Sequence, residues 1–170
     1  MLRNPENGKV IAEAMDTGES IPDHIVNALI EKRLNETDCK LSGWVLEGFP
    51  TTKPQINLLK AMRIKPLLVF MFEQNEEECV RRLGNRGLDP ETGLFYNVEV
   101  NPATDEAAGR LVSQDADSEP VVRKKFRAWR DDLPFVEEAF RKEAITMGAD
   151  RSIEDIAEMM CEELENCMRA

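Results

Sequence analysis

An acid, a glycine, two prolines and an amide stand close together in Trp44-Val45-Leu46-Glu47-Gly48-Phe49-Pro50-Thr51-Thr52-Lys53-Pro54-Gln55, and their types suit a strand running into a ligand-binding turn. Gly48 lets a ligand approach the backbone closely, Pro50 ends a hydrogen-bonded ladder, and Pro54 opens a helix whose first turn carries Gln55. A carboxamide offers donors beside an acceptor, so Gln55 is able to read a purine edge. Further along, Arg82 and Arg86 lie four residues apart in a stretch that opens as a helix at Asn75. That spacing puts both on one helix face, where two guanidinium groups can hold one anion.

The elements that must position these residues are legible as periodicities. Val45-Leu46, within a strand expected over 44–47, and 67–72 are short continuous apolar runs, the pattern of strands buried on both faces of a parallel sheet. In α/β folds the ligand sits just beyond such strand ends. A helix over 54–63 crosses between the two runs. Upstream, Gly8 to Thr17 carries apolar residues at 10, 11, 14 and 15 and stops at Gly18, the residue expected just past a helix end. From Pro22, Ile25, Val26, Leu29, Ile30 and Leu34 keep helical spacing, with Asp23 in the first turn and Lys32-Arg33 at the negative end of the helix dipole. That helix should end near Asn35.

After the Asn75 helix the chain turns polar from Gly87 to about Gln114, too long for a plain connector, and reads as a functional flap. A helical region then runs from Glu119 to Glu143, interrupted or kinked near Pro134. Ala144–Gly148 reads as a last strand, and Ser152-x-x-Asp155 as a capping box. The helix it opens should pack on the core through positions 153, 156, 159, 160 and 164. The aromatic and Met residues at 126, 129, 135, 140, 159 and 160 read as core rather than cofactor contacts, Arg123-Lys124-Lys125 as a solvated basic face, and His24 as exposed.

With 170 residues the chain is long enough to fold as a single domain over 1–170 without staples. Its 33 acidic and 22 basic residues give a formal charge of -11, which argues against nucleic acid or an anionic membrane as a partner. Cysteines 39, 79, 161 and 167 form no C-x-x-C pair and have only His24 for company, so no zinc site is expected. They read as thiols of a reducing compartment. The first residues lack the apolar core of a signal peptide, and the longest apolar run is far too short to span a bilayer. A soluble, cytoplasmic protein is the expectation.

The ordered series of motifs resembles the adenylate kinase family. It comprises Met15-Asp16-x-Gly18-x-x-Ile21-Pro22-Asp23, Asp38-Cys39, Glu47-Gly48-Phe49-Pro50 with Gln55, and Arg82-x-x-x-Arg86-x-x-Asp89-Pro90-x-Thr92-Gly93-x-x-Tyr96. The resemblance implies a three-layer, P-loop-NTPase-like parallel sheet flanked by helices, with residues 1–35 in the monophosphate-binding part and 87–114 as a lid. It implies AMP, ADP and ATP as ligands. On the AMP side it assigns Arg3 to the phosphate, Met15 and Ile21 to apolar walls, Gly48 to a close backbone contact and Gln55 to the adenine. On the ATP side it assigns Arg82 to the adenine and Arg86 to the phosphates.

Departures from the family pattern bear on catalysis. Glu47 stands where the family has an aspartate linked to magnesium, one methylene longer; Mg²⁺ is expected only with an active enzyme, and no metal site of the protein's own. Thr51, Gln114 and Lys125 stand where the family has arginines, and bidentate guanidinium contacts are not copied by an amide or hydroxyl. No G-x-x-x-x-G-K-[ST] occurs, Gly8-Lys9 being the one Gly-Lys pair. By the resemblance, the given chain starts after the family's second strand, without the phosphate loop and the first strands of the usual sheet. The strands at 44–47 and 67–72 would then have unpaired edges. A longer parent chain, a partner segment, or direct pairing of these two strands would fill the gap.

Three functions follow from the resemblance. The first is a degenerate nucleotide-binding or structural module of a larger protein, which could include a ciliary or axonemal one. The second is an active enzyme catalysing ATP + AMP = 2 ADP with its phosphate loop on sequence not given. The third is a UMP or CMP kinase, which Gln55 disfavours.

Overall fold

The computed structural model describes residues 5–17 and 19–169, with the backbone alone at 5, 6, 15 and 16. Its eight α-helices and four strands fall into two compact units: Met1–Ile21 with Asn75–Ala128, and Pro22–Gln74 with Trp129–Ala170. Arg3 lies outside the described residues.

The second unit holds the hydrophobic core. Helices α2 (Asp23–Leu34), α3 (Thr37–Ser42) and α4 (Lys53–Ala61) bring Leu34, Cys39, Ile56 and Leu59 together with Phe140. Each helix has a local cause. Asp23 and the pair Lys32, Arg33 complement the dipole of α2. A bidentate pair from Arg33 to Asp38, at 2.9 and 2.7 Å, ties the end of α2 to α3. Gly43, at φ +83°, ends α3 in a backbone conformation that side-chain-bearing residues rarely adopt. Thr52 caps α4, whose second residue is Pro54.

Strand β1 (Val69–Glu73) pairs in parallel with the later strand Ala144–Gly148, in register from Val69 opposite Ala144 to Glu73 opposite Gly148. The ladder is extended at its ends by Val69 N–H to the Glu143 carbonyl and Ala149 N–H to the Glu73 carbonyl. This two-stranded ribbon is the parallel sheet among the described residues. The fold is thus mixed helix and strand around a small parallel sheet.

Two sequence expectations fail here. Trp44–Glu47 is not a strand, and it does not pair with β1. Its side chains keep a strand's alternation, since Trp44 and Leu46 pack on the core while Val45 is 94% exposed. Apolar alternation makes a strand only when a neighbouring backbone completes the ladder, and none of the described strands lies against this segment. The final helix, Ile153–Arg169, forms with Ser152 Oγ accepting from Asp155 N–H at 3.1 Å. Its apolar stripe reaches only half-burial at Ile156, Met159 and Met160, and Ile153 stays exposed, so it does not seal onto the core as expected.

The first unit contains α1 (Pro5–Thr17), α5 (Glu76–Gly84), strands β2 (Arg86–Leu88) and β3 (Phe95–Asn97), α6 (Asp105–Ala108) and a 3-10 turn at Asp115–Asp117. Asn75 caps α5 by accepting from Glu78 N–H at 2.8 Å, and Glu76, Glu77 and Glu78 fill its first turn. Strands β2 and β3 pair antiparallel, and Leu88 exchanges both backbone hydrogen bonds with Val112 at 2.9 Å. Helix α7 (Glu119–Ala139) runs from one unit into the other. Pro134 lies inside it and removes a ladder donor without ending it, so of the expected interruption or kink the interruption does not occur.

The polar stretch 87–114 is more organised than its lack of periodicity suggested. Asp89 is fully buried and is its hub. Its carboxylate accepts from Arg110 Nε and Nη2 at 2.7 and 2.8 Å, from Thr92 Oγ1 at 2.8 Å and from Glu91 N–H at 3.0 Å. Gly93, at φ +71°, closes the turn by donating its N–H to the Asp89 carbonyl at 2.8 Å. The Arg110 guanidinium holds the Asp89 carboxyl well below the usual carboxylate range against the opposing effect of desolvation.

Candidate nucleotide site

The turn entering α4 places the residues that the sequence singled out. Glu47 and Gly48 are exposed, with Gly48 at φ +64°, which bars a side chain there at little strain. Gln55 lies in the first turn of α4 and is 6% exposed. Its Oε1 accepts from Thr51 N–H at 2.8 Å and, more weakly, from the Thr51 hydroxyl at 3.3 Å, while its Nε2 donates to Asp23 Oδ1 at 2.7 Å. Asp23 Oδ1 also accepts from the Thr52 hydroxyl at 2.9 Å. The amide is therefore oriented by groups on both sides, an arrangement the sequence did not announce. The sequence marks Asp23 only as a helix-start acid and part of a motif.

The arginines belong to the other unit. Arg82, on α5, donates Nε to Glu78 Oε1 at 2.7 Å. Arg81, one residue earlier, makes a second pair with Glu78. Hydrogen bonds from Arg81 and then Arg82 pull the Glu78 carboxyl from its ordinary 4.5 to about 2. Arg86 is not on the helix face with Arg82. The helix stops at Gly84, and Arg86 opens β2, so helical spacing does not bring the two guanidinium groups together.

Arg86 is instead occupied by a partner that the sequence reading missed. Its Nε and Nη2 donate to the two carboxylate oxygens of Asp117 at 2.8 and 2.6 Å. Phe95 offers its ring to the same guanidinium, 4.7 Å from Cζ to the centroid. Asp117 is 6% exposed, and its hydrogen bonds raise the Arg86 pKa above its ordinary value. The one available signal was the acidic 3-10 turn itself, Asp115-Ala116-Asp117, thirty-one positions away in sequence.

The remaining candidates add little geometry. Ile21 is half-buried, and the Met15 side chain falls outside the described residues. Gln114 and Thr51 are half-buried and Lys125 is exposed. Among the described residues no group of three or more His, Cys, Asp or Glu could hold a metal, and His24 is exposed.

These positions fall within a match to the family model "Adenylate kinase" that spans residues 1–145. The chain belongs to the adenylate kinase family. An adenylate kinase of Thermosipho africanus is 36% identical over 146 residues, covering 81% of this chain and 68% of that protein. One from Petrotoga mobilis is 31% identical over 179 residues, covering 99% and 80%. A chloroplastic adenylate kinase of Zea mays is 28% identical over 152 residues, covering 89% and 68%. No helix among the described residues is long and apolar enough to cross a membrane.

Proposed function

We propose that this chain is a nucleotide-binding, adenylate-kinase-type domain with weak or no phosphotransfer, serving as a nucleotide-binding or structural module of a larger protein. The family resemblance assigns Gln55 and Gly48, and likewise Ile21, Met15 and Arg3, to the AMP side. Arg82 and Arg86 form the ATP side, under a lid made by 87–114.

The observation that carries the reading is the state of charge on the phosphate side. Arg86, the cation assigned to the phosphates, is neutralised by Asp117 in a bidentate pair. Thr51, Gln114 and Lys125 stand at the three positions where the resemblance expects further arginines. Phosphoryl transfer relies on cations that stabilise the charge on the phosphoryl group in flight. Each lost charged contact removes roughly 1.5 to 3 kcal/mol, which is about one to two orders of magnitude in rate.

Magnesium fits the residues present in one way only. The described residues lack a multidentate cage, but Mg²⁺ bound mainly through nucleotide phosphates and waters needs only one or two carboxylates, and exposed Glu47 can supply one. When bound, the ion would offset phosphate charge. Glu47 would hold its hydration shell from one methylene further out than an aspartate.

A coupled ADP-formation assay with ATP, AMP and magnesium tests the first part of the reading, and turnover at rates usual for the family would overturn it. Calorimetry with AMP, ADP and a bisubstrate dinucleotide tests the second. Silence with all three ligands would leave only the structural role.

A further inference from the structure

We propose that Asp23 is a positioning residue that fixes the orientation of the Gln55 carboxamide and thereby selects a 6-aminopurine monophosphate over a 6-oxopurine one. The inference rests on the reading that Gln55 meets the base.

A glutamine amide is nearly symmetric in shape but not in hydrogen bonding, since one end donates twice and the other accepts twice. If the amide is free to turn over, it serves either base equally. Adenine presents an amino donor beside a ring-nitrogen acceptor. Hypoxanthine presents a carbonyl acceptor beside a ring N–H. An amide held one way pairs both positions of adenine and opposes both positions of hypoxanthine.

In this chain the amide is held. Asp23 is a carboxylate, which only accepts, so the nitrogen end must face it, at 2.7 Å. The Thr51 backbone N–H only donates, so the oxygen end must face it, at 2.8 Å. Two partners from different parts of the chain, one at the start of α2 and one before α4, impose the same orientation. Asp23 is itself fixed, because Thr52 donates its hydroxyl to the same Oδ1 at 2.9 Å, and Thr52 is the cap of α4. Burial of Gln55 to 6% exposure makes turning the amide over costly, since it would set donor against donor at Thr51 and acceptor against acceptor at Asp23. After these bonds one N–H remains unassigned on the nitrogen, and one oxygen lone pair is shared only with the long contact to the Thr51 hydroxyl. Those two directions, in fixed order, are what a base would meet.

The carboxylate is the element that can be tested without removing Gln55. In Asp23→Asn the partner gains an N–H₂ and can accept or donate, so only the Thr51 N–H still opposes turning the Gln55 amide over and the lock loses one of its two parts. Asp23→Glu keeps an acceptor-only group. Titration calorimetry with AMP and with IMP on the full chain gives the readout. The wild type should prefer AMP by at least about 10-fold, D23N should bring the ratio within about 3-fold, and D23E should restore most of it. A merely structural role for Asp23 would lower both affinities together and leave the ratio alone. AMP binding with an unchanged ratio in D23N overturns the inference while leaving nucleotide binding intact. Absence of binding of either nucleotide by the wild type overturns the underlying reading and the inference with it. If thermal melting shows that D23N does not fold, Asp23→Ser, whose hydroxyl also both donates and accepts, takes its place with the same expected ratio.

Discussion

Replacing Asp117 by Asn should lower thermal stability and at the same time tighten the binding of a polyphosphate. Asp117 is 6% exposed and receives two charge-assisted hydrogen bonds from Arg86, whose side chain keeps 37% of its surface in solvent. Breaking a fully buried pair costs about 3 to 5 kcal/mol and losing a surface pair no more than about 1. With one partner buried and the other partly screened, Arg86→Ala should fall between, near 2 kcal/mol. Asp117→Asn retains one acceptor and should cost about half that. For a domain of this size those figures correspond to roughly 4–8 °C and 2–4 °C in Tm. Nucleotide binding should move the other way in D117N. A phosphate reaching Arg86 must displace the carboxylate, so removing that competitor by about 1 to 1.4 kcal/mol should improve the Kd for ATP by about 5- to 10-fold. R86A should instead weaken ATP binding. Differential scanning calorimetry and titration with ATP, each at low and moderate salt, read the two quantities separately. If D117N weakens ATP binding, Asp117 orients Arg86 rather than competing for it, and the argument that this pair suppresses phosphate handling is wrong.

Leu59→Ala should cost about 3 kcal/mol, roughly 6–12 °C in Tm, because Leu59 is 2% exposed at the centre of the core cluster; thermal melting checks it. Gly93→Ala should cost about 1 kcal/mol, measured by urea titration. A Cβ there meets nothing within 4 Å, so the loss is backbone strain at φ +71° rather than a clash. Glu78 contributes stability that is complete above its ordinary pKa of 4.5 and is lost as pH falls toward about 2, because its folded-state pKa is depressed. The urea midpoints of the wild type and Glu78→Gln should therefore differ at pH 6 and converge as the pH is lowered through that window.

What could be read from the sequence was decided by how local its cause is. The helix starts at Asp23, Lys53 and Ile153 rest on a dipole acid, a capping threonine with a following proline, and a capping serine, all within a turn of the helix they open. The apolar runs that became β1 and its partner were legible because each is short and continuous, with Val69, Phe70, Met71, Ala144 and Ile145 half-buried and Met147 buried, and the two lie in register. Trp44–Glu47 shows where such reasoning stops, since alternation reports which side chains face inward and says nothing about whether another backbone lies alongside. Arg86 shows it again. Four-residue spacing from Arg82 implied one helix face, but Gly84 and Asn85 end the helix between them, and the arginine's partner lies thirty-one residues on.

The site residues divide along the same line. Gln55 and Gly48 were visible because a carboxamide at a helix start and a left-handed glycine are properties of single residues at a turn. The roles of Asp23, Asp117 and the Asp89–Arg110 hub were not, because they act through long-range hydrogen bonds that no periodicity encodes. That division carries a consequence for function. The residues that would meet a nucleotide are set by local chemistry, whereas the residues that decide how those groups are oriented or neutralised are set by tertiary contact. A chain can therefore retain the motif of a phosphotransferase and still differ from one in the charge available to a phosphate, and the proposed reading stands or falls with the pair of Arg86 and Asp117.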